Sequence, residues 1–73
     1  MARVLSEGFL KERAEGKILF KQGKIQESFQ YLESKVLKPS RERLQNGEVN
    51  AIFEVLDTLI LIGRLRMEIG QYP

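Results

Sequence analysis

The stretch GKILFKQGKI, residues 16–25, places two glycines seven positions apart in a sequence that otherwise favours helices. A glycine in a helix body costs about 1 kcal/mol relative to alanine, and it is best tolerated where another helix approaches closely. Gly16 is therefore predicted to lie at a contact between two helices. Gly23 is predicted to be the left-handed residue that ends the first helix at a tight turn.

Three predicted helices follow from the positions of the residues that interrupt helices. The segments between Gly23, Pro39 and Asn46-Gly47 consist mainly of Leu, Glu, Lys, Arg and Gln, which are good helix formers. We predict helices over residues 4–22, 25–37 and 48–69. The predicted fold class is all-α: an antiparallel helical hairpin plus a third long helix, in one domain of residues 1–73.

The segment around Pro39 allows two interpretations. Pro39 disfavours helical geometry at Lys38, so the second helix is expected to end there. Ser40 would then be the N-cap of a short helix in a connector, residues 41–47. Alternatively, this piece continues the second helix with a kink at the proline.

Composition argues against catalysis. The chain has no cysteine and no histidine, and its net charge is only +2. The usual thiolate, general base and metal-ligating imidazole are therefore missing, and we expect neither an enzyme nor a cofactor or metal site. A nucleic-acid partner is not expected from so small a net charge. The longest apolar run, residues 59–62, is too short to span a bilayer, so we expect a cytoplasmic protein.

The last predicted helix is apolar over most of its circumference. One face carries Val49, Ile52, Phe53, Leu56, Leu59, Ile60 and Gly63, and a second face carries Ala51, Val55, Ile62, Leu65 and Ile69. Glu54 and Asp57 are expected on a narrow, solvated polar stripe. Such a helix needs neighbours on two sides. We predict an association surface at Ile60, Ile62, Leu65 and Ile69 that makes a homo-oligomer or docks another chain; alternatively, the first two helices cover one side each.

A basic stripe is predicted on the first helix, because Arg13, Lys17, Lys21 and Lys24 recur at spacings of four, four and three. Such a stripe binds an acidic partner segment or simply keeps the surface solvated.

The glycine spacing occurs again in GRLRMEIGQY, residues 63–72, where Gly63 and Gly70 lie 47 residues after Gly16 and Gly23. With a small residue at Ser28 and Leu32 at an aromatic site, the pattern resembles the tetratricopeptide repeat, a helix pair of about 34 residues. The resemblance covers one and a half repeats of a long-period variant. Residues 12–40 form the first helix pair, and residues 48–73 form the first helix of an incomplete second repeat, ending in Tyr72-Pro73.

The resemblance implies a scaffold or adaptor for protein–protein interaction. The first helix of each repeat lines a groove for extended peptides, so Arg13, Lys17, Lys21 and Arg64 are expected to bind an acidic peptide. By the same resemblance, Gly63 is expected to pack against a helix and Gly70 to form a turn. Two alternatives remain: an unrelated three-helix bundle, and a small helical regulator or inhibitor that binds an enzyme or nucleic acid through its basic stripe.

Overall fold

The computed structural model describes residues 5–70 of the chain. These residues form α1 (Glu7–Lys21), α2 (Ile25–Tyr31), a π-helical segment (Leu32–Leu37), α3 (Lys38–Gln45) and α4 (Ala51–Glu68), and no strand occurs among them. α2, the π-helical segment and α3 follow one another without a break. The fold is therefore a hairpin of α1 with one long, irregular helix, against which α4 packs, and the predicted all-α hairpin plus third helix is confirmed.

The first helix begins and ends at residues suited to those positions. Ser6 is the N-cap, and its hydroxyl accepts a hydrogen bond of 3.2 Å from the Phe9 N–H. Glu7 in the first turn complements the positive end of the helix dipole. The predicted start at residue 4 lies outside the described residues. Beyond the last turn, Gly23 has a φ of +84°, which lets the chain reverse direction into α2.

The hairpin closes at Gly16. A Cβ built on this glycine would lie 2.4 Å from a Leu32 side-chain carbon, and Leu32 is fully buried. The Ser28 hydroxyl donates a buried hydrogen bond of 2.7 Å to the Gly16 carbonyl. The missing side chain at Gly16 therefore lets α1 and the long helix approach closely.

The other two glycines of the predicted pairs behave differently from each other. Gly70 follows α4 with a φ of +76°, the left-handed geometry expected of a turn glycine. Gly63 is exposed, and no atom lies within 4 Å of a Cβ built on it. The prediction that Gly63 packs against a helix is therefore corrected, because within residues 5–70 no helix approaches it.

The chain passes Pro39 without leaving the helix, as the kinked alternative anticipated. The π-helical segment precedes it, and the Lys38 N–H bonds to the Glu33 carbonyl five residues back. A proline ring clashes with the carbonyl four residues before it in a regular helix, and the wider π turn relieves this clash. Ser40 is consequently not an N-cap but a buried residue inside α3, and the predicted connector is helical up to Gln45.

The core lies between α1, the π-helical segment and one face of α4. Its buried members are Phe9, Leu32, Val36, Leu61, Ile62 and Leu65, with Leu5, Leu10, Phe20 and Phe29 packed at its margin. Ile62 and Leu65 are each only 7% exposed. Both were predicted to form an association surface, and that prediction is wrong because their face of α4 is the one that covers the hairpin.

We expect Gly16→Ala to lower the free energy of unfolding by about 1–3 kcal/mol, because the new methyl group would displace the buried Leu32 side chain. Gly8→Ala is the matched control, since Gly8 also lies in α1 and no atom is within 4 Å of its added Cβ. This control should leave stability unchanged or raise it by up to about 1 kcal/mol. Urea unfolding followed by circular dichroism measures both. Equal effects of the two substitutions would contradict the proposed contact.

Candidate interaction surfaces on α1 and α4

A buried carboxylate fixes which side of α4 faces the rest of the protein. Glu54 is 2% exposed, and its carboxylate accepts hydrogen bonds from the Ser6 N–H (3.2 Å), the Ser6 hydroxyl (3.1 Å) and the Arg43 guanidinium. The Ser40 hydroxyl lies 3.0 Å from the same carboxylate and 2.9 Å from the Val36 carbonyl. The donors come from the start of α1 and from α3, so Glu54 joins three helices and does not belong to a solvated stripe.

The surroundings of Glu54 favour its ionised form. Burial by itself raises the pKa of a carboxyl group, but the hydrogen bonds from Ser6, Arg43 and Ser40 and the Arg43 charge together outweigh it. The pKa of Glu54 is therefore lowered, and the side chain is a carboxylate near neutral pH.

A second charged contact joins α1 to α4. The Arg13 Nε lies 2.6 Å from an Asp57 carboxylate oxygen, and both side chains are about 70% shielded from solvent, with exposures of 27% and 31%. Neither atom has an aligned hydrogen-bond partner, so this contact is an ion pair without a well-directed N–H···O bond. Arg13 was predicted to bind an acidic peptide, but its charge is already neutralised by Asp57.

With α4 held in this rotation, its opposite side faces solvent. We use the term exposed α4 face for a set of seven large apolar side chains, six on α4 and Val49 in the turn before it, that are each between 36% and 71% exposed: Val49, Ile52, Phe53, Leu56, Leu59, Ile60 and Met67. At 3.6 residues per turn the six side chains on α4 fall within an arc of about 120°. The exposed Gly63 lies in the same arc, and no charged residue does.

The exposed α4 face corrects the predicted association surface. Of the four predicted residues, only Ile60 belongs to it, whereas Ile62 and Leu65 are buried in the core and Ile69 is half-buried. The sequence contains two apolar faces on this helix, and apolarity alone does not distinguish them. The positions of the polar residues distinguish the two faces. Glu54 and Thr58 both lie on the buried side, where Glu54 needs hydrogen-bond donors and the Thr58 hydroxyl donates to the Glu54 carbonyl at 2.7 Å.

A groove runs between the C-terminal halves of α1 and α4. Its volume is about 840 Å³, and its lining is Lys17, Phe20, Lys21, Leu61, Arg64, Leu65, Met67 and Glu68. Three of the four predicted peptide-binding residues, namely Lys17, Lys21 and Arg64, therefore surround one groove. Within residues 5–70 none of these three cations is in an ion pair.

Phe20, one of the apolar residues that line the groove, packs against a second aromatic residue that lies outside the lining. The Phe20 ring packs edge-to-face on Phe29, with ring centroids 6.3 Å apart. The Arg66 guanidinium lies 5.5 Å from the centre of the Phe29 ring and 3.8 Å from the Glu33 carboxylate. Arg66 is thus occupied within the fold, whereas Arg64 faces the groove.

Comparison of the chain with protein-family models, with curated proteins and with solved structures finds no match. None of the helices in residues 5–70 has both the length and the hydropathy needed to cross a membrane.

We expect Glu54→Gln to lower the free energy of unfolding near neutral pH by about 1.5–3 kcal/mol, because a neutral amide is a weaker acceptor for Ser6, Ser40 and Arg43. Since the folded-state pKa of Glu54 is lowered, the wild type should lose this stabilisation only as the pH falls below about 4.3, the usual glutamate pKa.

Urea unfolding at several pH values tests this prediction. The difference in stability between wild type and variant should shrink as the solution becomes more acidic. A difference that is constant from neutral pH to pH values well below the usual glutamate pKa would contradict the assigned role of the carboxylate.

Proposed function

We propose that this chain is a protein–protein interaction module that assembles with a second copy of itself through the exposed α4 face. The observation that carries the proposal is the exposed α4 face: six large apolar side chains on one side of α4 and Val49 in the turn before it, without a charge among them. The chain acts by binding in this proposal, not by catalysis.

The size of the patch supports this proposal. Seven side chains of this kind, each about half exposed, present on the order of 600 Å² of apolar surface. This is near the upper end of the range for the largest apolar patch on a typical monomer, about 300–600 Å². It approaches the roughly 800 Å² that each partner buries in a standard interface. Covering it would yield about 25 cal/mol for each Å² removed from water.

A second copy suits this surface because its own α4 offers an equally apolar face. The net charge of +2 is too small to oppose association of two identical chains. A small domain of 73 residues also has a limited core of its own, so burial between copies would add substantially to its stability.

A scaffold or adaptor of the tetratricopeptide-repeat type remains part of the proposal. Two features of the hairpin support it: the close packing of Gly16 against Leu32 and Ser28, and the left-handed Gly23 at the turn. Such repeats stack their helix pairs side by side, which requires apolar helix faces that the single pair does not cover.

We expect the wild type to be a dimer and the double variant Leu56→Glu, Ile60→Glu to be a folded monomer, because each glutamate would place a charge in the buried interface. Light scattering across a concentration series gives the mass, and circular dichroism reports the helix content. Ile18→Glu is the matched control: Ile18 is 45% exposed, similar to Leu56, but lies on α1. A wild type that is monomeric at every concentration would refute self-association.

A second candidate function is binding of an acidic segment in the basic groove. The specific observation is that Lys17, Lys21 and Arg64 surround an apolar lining without ion-pair partners among the described residues. Carboxylates would bind the cations, and an apolar side chain of the segment would contact Phe20 and Met67. The regulator or inhibitor alternative would use the same groove.

We expect a labelled peptide that alternates glutamate with leucine to bind at low salt, and the double variant Lys17→Glu, Arg64→Glu to weaken this binding at least tenfold. Fluorescence anisotropy measures both. Lys24→Glu is the control, because Lys24 is exposed but lies outside the groove. Equal loss in the control, or equal binding of a peptide with glutamine in place of glutamate, would contradict a groove-specific charge interaction. A labelled oligonucleotide that binds instead would favour the nucleic-acid regulator.

A further inference from the structure

The exposed α4 face carries a large residue near one end and a gap near the other. Phe53 is 47% exposed, so much of its ring is available to a neighbouring molecule. Gly63 lies ten residues later in the same arc, about 15 Å further along the helix axis. A Cβ at Gly63 would have no atom within 4 Å, so a neighbouring molecule can approach the backbone there.

Gly63 has no explanation within the single chain. A glycine in the middle of an exposed helix weakens that helix relative to alanine. Gly16 offsets this cost through its contact with Leu32, but nothing in residues 5–70 uses the missing side chain of Gly63. Close approach of a second molecule would use it.

We propose that the second copy docks with its α4 antiparallel to the first, so that Phe53 of each copy packs over Gly63 of the other. This inference rests on the proposed self-association and adds its orientation and register. The twofold axis then crosses the interface at the level of residue 58 along the helix axis. Leu56 of each copy then lies opposite Ile60 of the other.

This register pairs the exposed α4 face with itself. Each of these aligned pairs joins two apolar side chains, or one large apolar side chain and a glycine, so no charge is buried at the centre. Leu59 of one copy lies beside Leu59 of the other, close to the axis. Interfaces between two identical subunits related by a twofold axis have this reciprocal form, in which the same two positions meet twice.

The parallel arrangement fits less well for two reasons. It would place Phe53 against Phe53 and Gly63 against Gly63, which crowds one end and leaves a void at the other. It would also place the two Arg64 side chains at the same level along the helix axis, although like charges repel. In the antiparallel arrangement the Arg64 residues lie about 18 Å apart along the axis. Each guanidinium then comes close to the Phe53 ring of the other copy.

Disulfide cross-linking tests the orientation directly, because the chain has no native cysteine. Phe53→Cys and Gly63→Cys are prepared as separate proteins, mixed, and oxidised. In a mixed dimer the introduced thiol at position 53 of one copy can form a disulfide with the introduced thiol at position 63 of the other, while the second Phe53–Gly63 contact is retained. Two thiols that are both at position 53 would be about 15 Å apart along the axis, beyond the roughly 4.4–6.8 Å between Cα atoms that a disulfide allows.

Intact-mass spectrometry distinguishes the products. We expect the mixed disulfide between positions 53 and 63 to dominate, with each like-to-like disulfide no more abundant than that of Ile18→Cys, a control exposed on α1. Dominant like-to-like products at both positions would overturn the antiparallel register and leave self-association intact. No product above the control, with a dimeric wild type, would overturn the use of this face. The same result with a monomeric wild type would refute self-association itself.

A second variant measures the contact without cross-linking. Gly63→Leu fills the gap, so we expect the dimer dissociation constant to rise at least tenfold by sedimentation equilibrium. The monomer should stay folded, because the site is exposed and leucine favours helices more than glycine does. An unchanged dissociation constant would overturn the proposed packing of Phe53 over Gly63.

Discussion

The arrangement of the helices depends on the buried carboxylate of Glu54. A buried charge without partners costs several kcal/mol, so the fold must bring donors to it. Ser6 at the start of α1 and Ser40 and Arg43 in α3 supply them. Only one rotation of α4 places Glu54 among these donors, and this rotation also turns Ile62 and Leu65 inward and leaves Leu56 and Ile60 in solvent. The polar contact thus decides which apolar face is left over.

The irregular helix in the middle of the chain makes this contact possible. Pro39 cannot follow a regular α-helical turn without a clash, and the π-helical segment before it widens the turn. The next residue, Ser40, is buried within reach of Glu54. At the other end of the hairpin, Gly16 lets Leu32 approach α1. Two backbone features, a glycine and a proline, therefore set the spacing and direction of the surfaces that hold α4.

The two candidate surfaces are neighbours with different chemistry. The exposed α4 face is wholly apolar, whereas the groove between α1 and α4 combines an apolar lining with Lys17, Lys21 and Arg64. Met67 belongs to both, because it is exposed at the edge where they meet. Association through the first should depend little on salt, and binding in the second should weaken as salt screens the charges.

Several local features of this protein can be predicted from the sequence alone. The all-α class, the turn at Gly23 and the basic side of α1 follow from residue spacing, because helix periodicity and backbone preferences are local properties. The outward face of α4 was decided only by tertiary structure. Its two faces are similarly apolar, and the choice between them depends on whether Glu54 meets Ser6 and Arg43, which lie 48 and 11 residues away along the chain. Such a distant polar contact leaves no periodic signal in the sequence, and it decides which side of α4 remains free to bind.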